Sequence, residues 1–121
     1  DIYVSKYVNK QYKTPVNIGA PINTSFRESN PYISPKEDYI IYFSSDSTGL
    51  GEVDLFISFR KKDQWSKPKS LGAPINSAIG EFCPFVHQKQ KRLYFSRTEQ
   101  RPGGRRVEDI YSFPFDVEKY R

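Results

Sequence analysis

The segment Ile18–Pro31, IGAPINTSFRESNP, returns 53 positions later as Leu71–Pro84, LGAPINSAIGEFCP. The match runs on in both directions. Asp1 set over Asp54 without a gap aligns Ser5 with Ser58, Gln11 with Gln64 and Pro15 with Pro68. The same offset superposes Gly19–Asn23 on Gly72–Asn76, Glu28 on Glu81 and Pro31 on Pro84. One deleted residue then brings Tyr42–Ser44 onto Tyr94–Ser96, and a third copy opens at Asp109 and runs out at Arg121. Such a chain folds as neighbouring copies of one small unit, none of which can bury its apolar face alone.

Each copy reads as short strands. DIYVS and DLFIS alternate apolar and β-branched or aromatic residues, as do YIIYFS (Tyr39–Ser44) and RLYFS (Arg92–Ser96). Within one unit the expected strands are Pro31–Ser34, Tyr39–Ser44, Asp54–Phe59 and Lys67–Leu71. The last carries Pro68, which suits an edge position. SPKED and HQKQK are polar turns, DSTGLGE and EQRPGG are Gly-bearing loops, and no segment keeps helical spacing. The expected class is all-β.

Four antiparallel strands repeated at this period point to β-propeller blades. Residues 1–28 then close one blade, 29–80 form a complete blade and 81–121 form a partial one. That is about two and a quarter blades, against the roughly four to eight of a closed ring. Further chain before Asp1, a ring of identical chains or closure as a small sandwich would each cover the bare edges. The first is the favoured expectation, which makes the chain the C-terminal piece of a larger propeller.

SPKED (Ser34–Asp38), IYFSSD (Ile41–Asp46), DLFIS (Asp54–Ser58) and WSKPKSLGAPIN (Trp65–Asn76) together resemble the WD40-like repeat of the TolB and PD40 propellers of bacterial envelopes. HQKQK departs from the Ser-Pro-Asp-Gly turn of that pattern. The resemblance implies an extracytoplasmic, non-enzymatic scaffold without cofactors, binding a protein or an envelope polymer. The alternative it leaves open is the propeller portion of a hydrolase, a peptidase or glycosidase whose catalytic residues lie outside this chain.

Positions kept in every copy serve the unit, so Asp1, Asp54, Asp109, Glu28 and Glu81 are expected to pair with loop N–H groups. An acid–base pair or cation site would need them to converge, whereas repetition sets equivalents one blade apart. Gly19 and Gly72 are expected to supply an unusual backbone angle, and Pro21 and Pro74 to stiffen the loop. Trp65, aligned with Tyr12, is expected to pack on the outer strand. His87 lacks a nucleophile partner and reads as structural, and Cys83, the single cysteine, as a buried thiol.

Positions that differ between copies are the candidates for function. Residues 1–53 carry five Lys and Arg against six Asp and Glu; residues 54–121 carry fourteen against eight. Arg97, Arg101, Arg105 and Arg106 crowd one loop whose counterpart, DSTGLGE, is acidic. Guanidinium groups match carboxylate, sulfate or phosphate, so an anionic partner is expected at this loop. Nucleic acid is disfavoured because the aromatic residues occupy strand positions rather than stacking positions. No apolar run approaches the ~18 residues of a membrane span, so insertion is not expected. SSDSTGLGE misses the sialidase Asp-box, with Gly49 one place late and no Trp, and no P-loop, Gly-x-Ser-x-Gly or HExxH sequence occurs.

Overall fold

Residues 1–121 are described by a computed structural model, all-β apart from two short 3-10 turns at Pro102–Gly104 and Val117–Tyr120. The N-terminal part is a hairpin in two stages. Strands β1 (Tyr3–Val4) and β4 (Val16–Asn17) form its base; β2 (Tyr7–Val8) and β3 (Gln11–Tyr12) form its tip. Asn9 and Lys10 turn the tip with φ of 51° and 62°. The central unit orders β5 (Glu28–Ile33), β6 (Tyr39–Ser44), β7 (Asp54–Lys61) and β9 (Lys69–Ser70) side by side, all antiparallel. Strand β8 (Gln64–Trp65) folds back on the far end of β7. The C-terminal unit is β10 (Gly80–His87), β11 (Arg92–Gln100) and β12 (Arg106–Pro114). None of these sheets closes on itself.

Tyr39–Ser44 is a strand with the expected limits, while its neighbours differ from expectation. The first strand begins at Glu28, ahead of Pro31, because a bulge between Ser29 and Tyr32 lets the ladder continue past the proline. The fourth shrinks to Lys69–Ser70, since Pro68 has no N–H to offer β7. Trp65 belongs to β8 and not to that outer strand; it is half-buried, with the Arg60 guanidinium 5.9 Å from its ring centroid.

The strand register repeats with the sequence. Phe56 faces Ser70 and Ile57 faces Lys69, as Tyr3 faces Asn17 and Val4 faces Val16. Arg60 faces Trp65 as Tyr7 faces Tyr12. Across the central sheet Glu28, Ser44 and Asp54 make one transverse row; Glu81, Arg97 and Asp109 make the same row in the C-terminal unit. Likewise Ile33, Ile40 and Ser58 match Val86, Leu93 and Phe113.

This register corrects the one-residue deletion. The counterpart of Ser44 is Arg97, not Ser96, and the length difference is an extension of the β11–β12 connection. A one-residue slip sends every side chain to the opposite face, which is why it matters here. It turns Arg97 from a loop residue into a strand residue aimed at the central unit.

Two apolar layers lie between the units. Tyr39, Ile41, Leu55, Ile57 and Phe59 face Val86, Leu93 and Phe95 in one layer, with Leu71, Ile75 and Phe115 at its margin. Ile40, Tyr42 and Phe56 leave the other face of the same sheet and meet Ile2 and Ile22. Strand β6 is therefore apolar on both faces because both are covered. The N-terminal hairpin lacks such cover: Tyr3 and Val4 are 58% and 41% exposed where Phe56 and Ile57 are 6% and 0%.

Candidate functional site

The doubled GAPIN loop is a clamp on the strand that precedes it. Leu55 N–H donates to Asn76 Oδ1 at 2.8 Å, and Asn76 Nδ2 returns a bond to Leu55 O at 3.0 Å and another to Ser70 Oγ at 3.0 Å. In the first copy Ile2 N–H donates to Asn23 Oδ1 at 2.7 Å, and Asn23 Nδ2 reaches Ile2 O at 2.8 Å and Asn17 Oδ1 at 2.7 Å. The Leu55 and Ile2 carbonyls also accept from Leu71 and Ile18 N–H, so it is the backbone N–H of each strand that depends on the asparagine for its partner. Gly19 and Gly72 start the loop at φ of 77° and 68° with open space around the missing Cβ. The Ala20–Pro21 and Ala73–Pro74 peptides are both cis.

The repeated carboxylates diverge in environment. Thr24 Oγ1 donates to Glu28 and Ser77 Oγ to Glu81, and both glutamates are buried. Asp54 is fully buried; its Oδ2 accepts from Gly51 N–H at 3.0 Å, and a Cβ on Gly49 would strike the same carboxylate. Asp1 and Asp109 are exposed, the first accepting from Asn17 Nδ2 and the second pairing with Arg101 at 3.1 Å. The equivalents Glu28 and Glu81, and Asp54 and Asp109, lie in different sheets, while the non-equivalent Glu28 and Asp54 stand in one row of one sheet.

Arg97 is committed to the interior. Its Nε donates to Glu81 Oε1 at 3.0 Å, and its Nη2 donates to the Pro74 and Ile75 carbonyls at 2.7 and 2.6 Å. The guanidinium also lies 4.6 Å from the Tyr111 ring centroid. Burial pushes the Glu81 carboxyl up from its ordinary value, against the pull of Ser77 and Arg97. Arg101, Arg105 and Arg106 are the exposed members, at the turn between β11 and β12. Arg101 pairs with Asp109, and Arg106 grips Glu52 at 2.8 and 3.0 Å, which holds the Glu52 carboxyl below its usual range. Arg105 has no ionic partner. This hairpin meets the Ser45–Val53 loop through Glu52, and Glu52 N–H bonds Ile79 O at 2.7 Å, so the long loops form one continuous face.

Cys83 is exposed, which overturns the expectation of a buried thiol. It occupies the β10 bulge at φ 52°, as Asn30 occupies the β5 bulge at φ 50°, and its N–H donates to Asn30 Oδ1 at 3.2 Å. The bulge rotates the residue out of the ladder's alternation, so its apolar neighbours gave the wrong signal. His87 is half-buried, its Nδ1 accepting from Gln90 N–H at 3.1 Å.

A cavity of about 320 Å³ that sequence reasoning did not anticipate separates β1 from the central sheet. Tyr3, Ile18, Ile33, Ile40 and Trp65 line it together with Arg60. No group of three or more His, Cys, Asp or Glu side chains is clustered closely enough to hold a metal ion by themselves. No helix is long and apolar enough to cross a membrane. No family model matches the chain, and neither a curated protein nor a solved structure does.

Proposed function

We propose that the chain is part of a β-propeller of the TolB and PD40 type, an extracytoplasmic scaffold that binds a protein or an anionic envelope polymer through its long-loop face. The observation that carries this reading is the repeated register. A four-stranded antiparallel unit and its flanking partial copies pack face to face, with the same asparagine clamp at each joint. The repeated loop is thereby occupied with holding strands, and recognition falls to what is not repeated. The Arg101–Arg106 turn is the most distinct such feature, carrying three exposed guanidinium groups of which one is unpaired.

Exposed ion pairs are weak because water screens them, so Arg101 and Arg106 are readily exchanged onto a stronger anionic partner. The test is binding of the chain to immobilised sulfated and carboxylated polymers and to envelope extracts, with Arg101, Arg105 and Arg106 replaced together by Glu. The expected result is at least about a tenfold loss of binding with an unchanged circular dichroism spectrum, equivalent to roughly 1.4 kcal/mol. Equal binding by the triple variant sinks the site assignment.

A further inference from the structure

The transverse rows Glu28–Ser44–Asp54 and Glu81–Arg97–Asp109 occupy the same place in two units and are charged differently. In the C-terminal unit one guanidinium fills a cradle of oxygens: Glu81 Oε1 at 3.0 Å, Pro74 O at 2.7 Å and Ile75 O at 2.6 Å. The counterparts of those oxygens in the central unit belong to Glu28, Pro21 and Ile22. The counterpart of the guanidinium is missing, because Ser44 stands where Arg97 would. Ser44 Oγ is turned to Asp46 N–H at 3.1 Å and donates to neither carboxylate.

Thr24 Oγ1 donates to Glu28 Oε1 and Gly51 N–H to Asp54 Oδ2, but the second oxygen of each carboxylate has no donor. Glu28 Oε2 and Asp54 Oδ1 are buried without a hydrogen-bond partner, and the two residues are 2% and 0% exposed. Neither the Pro21 nor the Ile22 carbonyl accepts a backbone hydrogen bond, and Ile22 is fully buried. Arg27, next in sequence to Glu28, lies over the Phe43 ring at 5.5 Å and makes no ion pair with it. Glu81 also keeps one unpaired oxygen, but there Arg97 balances the charge. Two buried carboxylates in one row with no cation are strongly unfavourable as anions unless a proton or a bound cation neutralises them, and the orphaned oxygens with the unpaired carbonyls beside Glu28 favour the cation.

We propose that Glu28, Asp54 and the carbonyls of Pro21 and Ile22, with the hydroxyls of Thr24 and Ser44 beside them, form a site for a hard, oxygen-seeking cation, Ca²⁺ above all. The donor set is oxygen only, mixing two carboxylates with neutral carbonyl and hydroxyl groups, which is the chemistry Ca²⁺ selects. Imidazole and thiolate, which draw transition metals, are absent from it. The ion does for the central unit what the Arg97 side chain does for the next: it neutralises the buried glutamate and ties the GAPIN loop to the sheet.

The experiment uses the whole chain, stripped with chelator and titrated with CaCl₂, MgCl₂ or choline chloride. Binding is read by calorimetry and by the thermal midpoint, and with Tb³⁺ by luminescence sensitised through Tyr42, buried at the next same-face position. One Ca²⁺ per chain should bind and raise the midpoint saturably, at least about tenfold more tightly than Mg²⁺. Ser44→Arg should copy the C-terminal unit, holding a raised midpoint without Ca²⁺ and losing the response. Glu28→Gln should weaken Ca²⁺ binding at least about tenfold, while Glu81→Gln leaves it unchanged. A wild-type midpoint that ignores Ca²⁺, or answers choline chloride equally, overturns the proposal. So does Ca²⁺ binding of unchanged affinity in Glu28→Gln or in a folded Ser44→Arg.

Discussion

Arg97→Met keeps the length and bulk of the arginine stem and deletes its charge. Glu81, with no exposed side-chain surface, loses its only cationic partner, and the Pro74 and Ile75 carbonyls lose their charged donor. The Arg97 side chain is 14% exposed, so little solvent screening discounts the effect. Removing one member of a buried pair costs about 3–5 kcal/mol, a large part of the ~5–15 kcal/mol that holds a typical domain folded. The sign with pH follows from Glu81, whose folded carboxyl lies above its ordinary 4.5 through burial, partly offset by Ser77 and Arg97. A raised carboxyl contributes stability that is present below the unfolded value and lost as pH rises through the folded value. Without Arg97 that value climbs further, so the gap between variant and wild type should widen as pH rises from about 4 toward 7, above a pH-independent part from the two carbonyls. Urea unfolding followed by tryptophan fluorescence between those limits measures it, with the denaturant slope as a check on two-state behaviour. A variant unfolded at neutral pH should refold on acidification. A deficit below about 1 kcal/mol at pH 7, the range of exposed pairs, or one indifferent to pH, would refute the assignment of Arg97 to the interior.

Asn76→Ala strips Leu55, which is fully buried, of its N–H partner and should destabilise by about 1–3 kcal/mol, whereas Asn23→Ala at the more open first copy should cost visibly less. Equal losses in urea unfolding would mean that burial does not set the worth of the clamp. Gly72→Ala forces a side chain to φ 68° in open space and should cost about 1–2 kcal/mol with no change in fold, checked by the same assay. Cys83 should react stoichiometrically with a thiol reagent in the folded protein, without a lag and without denaturant; protection until unfolding would contradict its exposure.

The repeat alone located the strands well, because alternation and turn residues are local signals. Tyr39–Ser44 is legible from its turns and its β-branched and aromatic content: it is apolar on both faces and closed by polar turns. What the chain hid is non-local. YFS occurs twice and invited a gap, yet backbone pairing keeps β6 and β11 at the ungapped offset, and the choice of one residue decided which way Arg97 points. The bulges at Asn30 and Cys83 hide for a related reason, since an extra residue in one strand leaves no mark on composition. The Asn76 clamp joins residues 21 apart in sequence through a side chain, and its only trace was recurrence. The arginine cluster was visible as charge, but charge does not distinguish a buried guanidinium from three exposed ones.

Two strands with one register create an ambiguity for folding. As β7 collects β6, β1 offers the same spacing of backbone groups and the same neighbours at its far side, so β6 of one molecule has a second acceptable seat on another. Lys6 breaks the tie. It stands where β7 carries Phe59, opposite the buried Tyr39, and a mispaired β6 would have to drag an ammonium group into that contact. Lys6→Phe removes that barrier and should raise the share of dimers and larger species seen by light scattering; an unchanged size distribution would overturn this role for Lys6.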